Sequence, residues 1–185
     1  MAPYLFLLLI FLGLAVLLLI VAYTLKTGIS PMPSTRRIRS AMADFIPPNI
    51  QMIYDLGSGW GGLVFHLAQR FPNAVVTGYE LSPVPCLWSK LWARLCCLRN
   101  ARFIRRNFLK VKLDSPAAVV CYLYPGAMPR VRDLLINTLP PGTLVISYAF
   151  AVPGWKPWAT RAFRGILHSR LYVYYLPMPT SRATD

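Results

Sequence analysis

Carboxylates are scarce in this chain. Of its 185 residues six are acidic, and five of those are aspartate; Glu80 is the sole glutamate. Against them stand 20 lysines and arginines, for a formal net charge of +14. Such a balance points to an anionic neighbour, either phospholipid headgroups or nucleic acid, or else to a solvated basic face. It also makes each carboxylate worth individual attention. Cys86, Cys96, Cys97 and Cys121 form no C-x-x-C pair, which excludes a disulfide framework and zinc spacing and suggests buried thiols in a reducing compartment. His66 and His168 are isolated, with no ligand partner one helical turn away, so no metal site is expected. No lysine or arginine precedes residue 26.

What the chain has in excess is hydrophobic residues, at 56%. The excess is local. From Tyr4 to Tyr23, 19 of 20 residues are hydrophobic, with Gly13 the exception. Without that block, 84 of 165 residues are hydrophobic, an ordinary proportion for a globular domain. At 1.5 Å per residue the block reaches across a hydrocarbon core of about 30 Å, and tyrosines at both ends suit the two interfaces. A cleaved signal peptide would want basic residues before a shorter run. The block therefore reads as a single retained transmembrane anchor. Lys26, Arg36, Arg37 and Arg39 follow it, which puts the N-terminus outside and the remainder in the cytoplasm. The stretch to about Pro48, with Pro31, Pro33, Pro47 and Pro48, reads as a basic linker against anionic lipid headgroups.

Beyond it, apolar runs alternate with helical patterns. Strands are expected over Ile50–Leu56, Ala74–Tyr79, Ala101–Arg106, Ala117–Tyr124 and Thr143–Phe150, with one more within Ile166–Leu176. Helices are expected over Gly62–Arg70, from Pro83 after a Ser82 cap, and over Met128–Leu139. In the second helix Leu87, Leu91 and Leu95 form a stripe flanked by Trp88 and Trp92. This alternation means an α/β fold with a mainly parallel sheet covered on both faces.

The first strand runs into Gly57-Ser58-Gly59-Trp60-Gly61-Gly62 and then a helix. Glycines let the backbone approach a ligand, and the helix start offers free N–H groups. Gly57, Gly59 and Gly62 also satisfy G-x-G-x-x-G, the dinucleotide pattern, for which Glu80 would be the ribose acid. Asp55, two residues before Gly57, shifts the reading. Asp55-Leu56-Gly57-Ser58-Gly59-Trp60-Gly61 resembles motif I of class I methyltransferases, D/E-x-G-x-G-x-G. In that family the acid organises the site around the methionine part of S-adenosylmethionine. An acid closing the second strand, here Glu80, accepts from both ribose hydroxyls, with Leu81 beside it. The alternatives are a turn residue at Asp55 and a helix-start acid at Glu80.

Later segments narrow the resemblance. Arg106-Asn107-Phe108-Leu109-Lys110-Val111 looks like the D-x-W/F-K-V segment of membrane-anchored class I lysine methyltransferases, the family that includes the ATP synthase c-subunit lysine methyltransferase. Tyr124-Pro125-Gly126-Ala127-Met128 falls where that family has an aromatic or aliphatic residue, proline and a loop ending in Met. Ser147 to Pro157 is similar to its S-x-x-F-x-x-P-x-W-x-P. The resemblance covers roughly Met52 to Pro157. Asn107 departs from the family's Asp, leaving an uncharged acceptor for an adenine amino group. Lys112 also stands where an acid is expected. There is no D/N-P-P-Y, which argues against DNA bases and glutamine as acceptors.

The resemblance implies a Rossmann-like class I methyltransferase sheet, mainly parallel with an antiparallel last strand, behind one transmembrane helix. It divides the chain into an anchor (1–24), a basic linker (25–48), a methyltransferase domain (49–177) and a flexible tail (178–185). The cofactor is S-adenosylmethionine, held by Asp55, Gly57, Ser58, Gly59, Gly61, Glu80, Leu81, Asn107 and Phe108. Tyr122, Tyr124, Pro125 and Trp155 would wall the acceptor pocket, and no general base is assigned. The same aromatics could serve as core anchors. The expected substrate is a membrane-embedded protein lysine, since the +14 charge would repel a free basic protein. The membrane would be a bacterial inner membrane, or the mitochondrial inner membrane in a eukaryote. A lipid or quinone-like acceptor, a non-catalytic S-adenosylmethionine- or nucleic-acid-binding module, and an NAD reductase remain alternatives. The basic residues follow no nucleic-acid motif.

Overall fold

The computed structural model describes residues 2–27, 34–113, 117–163 and 169–176. Pro31, Pro33, His168 and the tail from 177 lie outside the described residues. The first helix, α1 (Ala2–Thr27), contains the apolar stretch Tyr4–Tyr23, with mean hydropathy 3.4 and no residue buried. By length and composition it could cross a membrane.

Helices α2 (Arg36–Ala43), α3 (Gly62–Arg70), α4 (Pro83–Leu95) and α5 (Met128–Thr138) accompany seven strands. These are β1 (Met52–Leu56), β2 (Val75–Glu80), β3 (Ala101–Arg105), β4 (Ala117–Cys121), β5 (Leu144–Tyr148), β6 (Ala159–Ala162) and β7 (Arg170–Tyr175). They form one sheet in the order β3-β2-β1-β4-β5-β7-β6. Strands β1 to β5 are parallel, and β7 pairs antiparallel with both β5 and β6. The expected mainly parallel sheet with a reversed last strand is borne out.

Side chains alternate along each strand. Ile53, Val76, Val120, Ile146 and Val173 join the core beneath α2, α3 and α4. Tyr54, Tyr79, Val119, Val145 and Tyr174 join the core beneath α5. Both faces are therefore covered, which suits strands this apolar. The Asn100 amide donates to the carbonyls of Ala68, Phe71 and Ala74 at 3.0, 3.2 and 3.0 Å, tying the end of α3 to the start of β2.

Two sequence expectations are corrected, on the linker and the cysteines, and one stripe that the sequence left without a direction is oriented. The basic stretch before the domain is not all linker. Thr35 caps α2 by accepting from the Ile38 N–H, and Ala41, Met42, Ala43 and Ile46 are buried in the core. The Leu87, Leu91 and Leu95 stripe of α4 faces outward, while Pro85, Cys86, Ser89 and Ala93 face the sheet. Of the cysteines only Cys86 and Cys121 are buried, because Cys96 and Cys97 fall in the exposed turn after α4.

Candidate active site

The carboxyl ends of β1, β2, β4 and β5 lie along one edge of the sheet. Asp55 stands beside Val120, and Cys121 beside Ser147, so the ends of β1, β4 and β5 are level. From β1 the chain builds outward through β2 and β3; from β4 it builds the other way through β5. The crevice between β1 and β4 is thus a topological switch point, where open α/β sheets bind ligands.

The glycine loop is bent back over β2. The N–H groups of Gly57 and Ser58 both donate to the Tyr79 carbonyl at 3.0 Å. Gly61 caps α3 with φ +80°, and a Cβ there would lie 2.8 Å from Phe103 Cζ and Ser89 Oγ. Gly78 in β2 serves the same close approach from below: its Cβ would meet Ser58 Cβ at 2.7 Å. A glycine inside a strand is the sequence signal for such an approach, and Gly78 was not singled out by its motif. Arg39 of α2 donates to the Gly62 carbonyl at 2.7 Å, so the pre-domain helix reaches the loop.

Glu80 organises the loop from the end of β2. Its Oε2 accepts from the Gly59 N–H at 2.8 Å and its Oε1 from the Ser82 N–H at 2.7 Å. Each oxygen then keeps one lone-pair direction for another donor. The Ser82 side chain makes no capping bond; its backbone serves Glu80 instead. Asp55 is 3% exposed. Burial first, and then the charge of Glu80, push its carboxyl up to about 8. A cationic group in the crevice would offset both. The Ser58 Oγ is buried and lacks a hydrogen-bond partner among the described residues.

Leu81 is 38% exposed beside Glu80. The Asn107 carboxamide oxygen accepts from the Leu109 N–H at 3.0 Å, capping a single 3-10 turn over Phe108–Lys110. Phe108 is half-buried against the α5-side core. The residues proposed for the acceptor pocket divide between two aromatic groups. Tyr122 packs edge-on against Tyr148 at 4.8 Å, and Tyr148 against Phe163 at 5.9 Å. Trp155 packs against Tyr174 at 5.8 Å, and the Tyr174 hydroxyl accepts from the Val152 N–H at 3.1 Å. Tyr124 packs on the α5-side core, while Pro125 is exposed at the start of a 3-10 turn. No ring contact joins Tyr122 to Trp155 among the described residues. Tyr148 and Tyr174 are the positions that sequence reasoning missed; both read there as ordinary strand residues. Burial pushes the Cys121 thiol up to about 12, which removes it as a thiolate nucleophile.

Two acids at adjacent strand ends, a glycine loop and an unpartnered serine hydroxyl fit a ligand with a ribose and a cationic end. The comparisons agree. The ANTKMT methyltransferase domain family matches residues 55–159. The chain belongs to that family. Adenine nucleotide translocase lysine N-methyltransferase of Mus musculus is 34% identical over 104 residues, covering 56% of this chain and 45% of that protein. The chain thus spans less than half of this relative. A protein-lysine N-methyltransferase of Saccharolobus islandicus is 24% identical over 132 residues, covering 68% of this chain and 79% of its own. Among solved structures, an RNA methyltransferase of Salinibacter ruber with bound S-adenosyl-L-homocysteine superposes with TM-score 0.73 at 23% identity, over 83% of this chain and 99% of that one. At that identity the likeness shows the fold. The expected class I methyltransferase domain with S-adenosylmethionine as cofactor is borne out.

Proposed function

We propose that this protein transfers a methyl group from S-adenosylmethionine to a lysine side chain of a membrane-associated protein, with α1 as its anchor and the sheet on the cytoplasmic side. The reading rests most heavily on the family match across residues 55–159, which contain both site acids and the aromatic segments after β4 and β5. The lysine methyltransferases of mouse and Saccharolobus among the relatives support the choice of acceptor.

When bound, S-adenosylmethionine supplies a methyl group already activated on a sulfonium. Glu80 would hold the ribose through the lone pairs that Gly59 and Ser82 leave free. Asp55 would face the cationic methionine part from the β1 end, where burial makes its charge most effective. Asn107 and Phe108 would border the adenine. The remaining task is to present a neutral amine in line with the methyl group. An unperturbed lysine has a pKa of about 10.4, and a wall of apolar rings lowers it by desolvation. Tyr122, Tyr124, Pro125 and Trp155 are assigned that role, with cation–π contact before the proton leaves. Alignment then supplies most of the rate enhancement.

The test is incubation of membranes with the full chain and radiolabelled S-adenosylmethionine. Label should enter a protein band that survives solvent extraction, on a lysine found by peptide mapping. Label confined to the organic phase would overturn the lysine assignment in favour of a lipid or quinone-like acceptor.

A further inference from the structure

Helix α4 carries two apolar sides. Pro85, Cys86, Ser89 and Ala93 face the sheet. Leu87, Trp88, Leu91, Trp92 and Leu95 face outward, each between 44% and 70% exposed. At 3.6 residues per turn these five cover an arc of about 140°. The two tryptophans lie stacked, with ring centroids 5.8 Å apart and planes 12° apart. Exposed Lys90 and Arg94 border the arc on its leucine side. Single exposed leucines are common on protein surfaces, but a contiguous face of this composition marks a contact.

Two observations say what covers it. One is charge. Three leucines and two tryptophans with a cationic border, in a chain of net charge +14, are the composition of a helix lying in an anionic bilayer interface. Tryptophan is enriched at that level because one end of the ring is apolar and the other wet. The second observation is position. Helix α1 touches α4, and its half-buried side chains among the described ones are Ile20 and Tyr23, towards its C-terminal end. Tyr23 ends the membrane-crossing stretch, so α4 sits at the depth where α1 would leave the bilayer.

We infer that the outer face of α4 docks flat in the interfacial layer of an anionic phospholipid membrane, beside the exit of α1. The inference rests on the anchor reading above and deepens it. Helix α4 starts directly after Ser82, whose N–H holds Glu80. Docking therefore sets the cofactor edge of the sheet close to the headgroups, where a lysine at the rim of a membrane protein would be presented.

The test uses the full chain, reconstituted alone into phosphatidylcholine–phosphatidylglycerol vesicles whose lipids carry bromine high on the acyl chain. Tryptophan fluorescence should be quenched. The double variant Trp88→Phe, Trp92→Phe, which keeps the apolar surface, should lose most of that quenching. Equal quenching in the two proteins, or none, overturns the inference. An alkaline wash after the measurement tests the anchor separately. A chain that resists the wash but shows no quenching from these two positions keeps α1 and loses α4. A chain that is quenched and then washes off supports α4 and sinks the anchor.

Discussion

Two halves of the sheet edge do their work by different means. The half at β1 and β2 is built from hydrogen bonds. The glycine loop is pinned by the Tyr79 carbonyl of β2, by Glu80 and by its own Gly61-to-Ser58 bond, and a buried acid waits beneath it. The half at β4, β5 and β7 is built from rings, with Tyr122 on Tyr148 and Trp155 on Tyr174. On the proposed assignment, the difference follows from the ligands. A ribose and a cationic chain offer fixed polar groups, so fixed polar partners can be placed for them in advance. An amine that must shed its proton needs water and charge kept away from it.

Mutations can break that division. The largest effect is expected at Gly61. Gly61→Ala puts a Cβ into Phe103 and Ser89 at positive φ. Left-handed strain costs about 1–2 kcal/mol and overpacking a further ~1–3. The melting temperature should fall by several degrees, and cofactor binding should be lost together with transfer. Next comes Asp55. Between the ordinary value of 3.8 and about 8 the folded chain holds a proton that the unfolded chain has released. Stability of the free protein should therefore fall as pH rises through that window and level off above it. A bound cation reverses the preference, so cofactor binding at neutral pH should release a proton and tighten towards pH 8. Calorimetry in buffers of different ionisation heat measures this, and Asp55→Asn should abolish it.

The smallest effects should fall on the ring half. Trp155→Ala should lower kcat/KM for the acceptor by about tenfold, roughly 1.4 kcal/mol, and leave cofactor affinity unchanged. If it weakened cofactor binding as strongly as transfer, the two halves would not be separate.

The polar half was the more legible in the sequence. Asp55, the glycines and Glu80 sit at spacings fixed by strand, turn and helix, so their coming together at one sheet edge could be expected without coordinates. The ring half was only partly legible. Tyr122 and Trp155 were named from their segments, but the ring each meets lies on another strand, Tyr148 on β5 and Tyr174 on β7, and such a pairing is set by the sheet. Strand β6 was missed because Ala159–Ala162 is short, mostly exposed and lacks an apolar alternation. Helix α2 was missed because flanking prolines and arginines masked Ile38 and Met42, which stand four apart behind the Thr35 cap. In α3 and α4 the periodicity was read correctly, yet only α3 buries its stripe. Periodicity locates an apolar face and leaves open whether protein or another phase covers it.

Glu80 offers the most direct measurement. The purified full chain should bind S-adenosylmethionine at one site in a calorimetric titration and show no binding to NAD. Glu80→Ala should weaken that binding by about 1.5–3 kcal/mol, roughly a 10- to 150-fold rise in Kd, with the fold intact by circular dichroism. Unchanged affinity in the variant, or binding of NAD in place of S-adenosylmethionine, would contradict the account of this site.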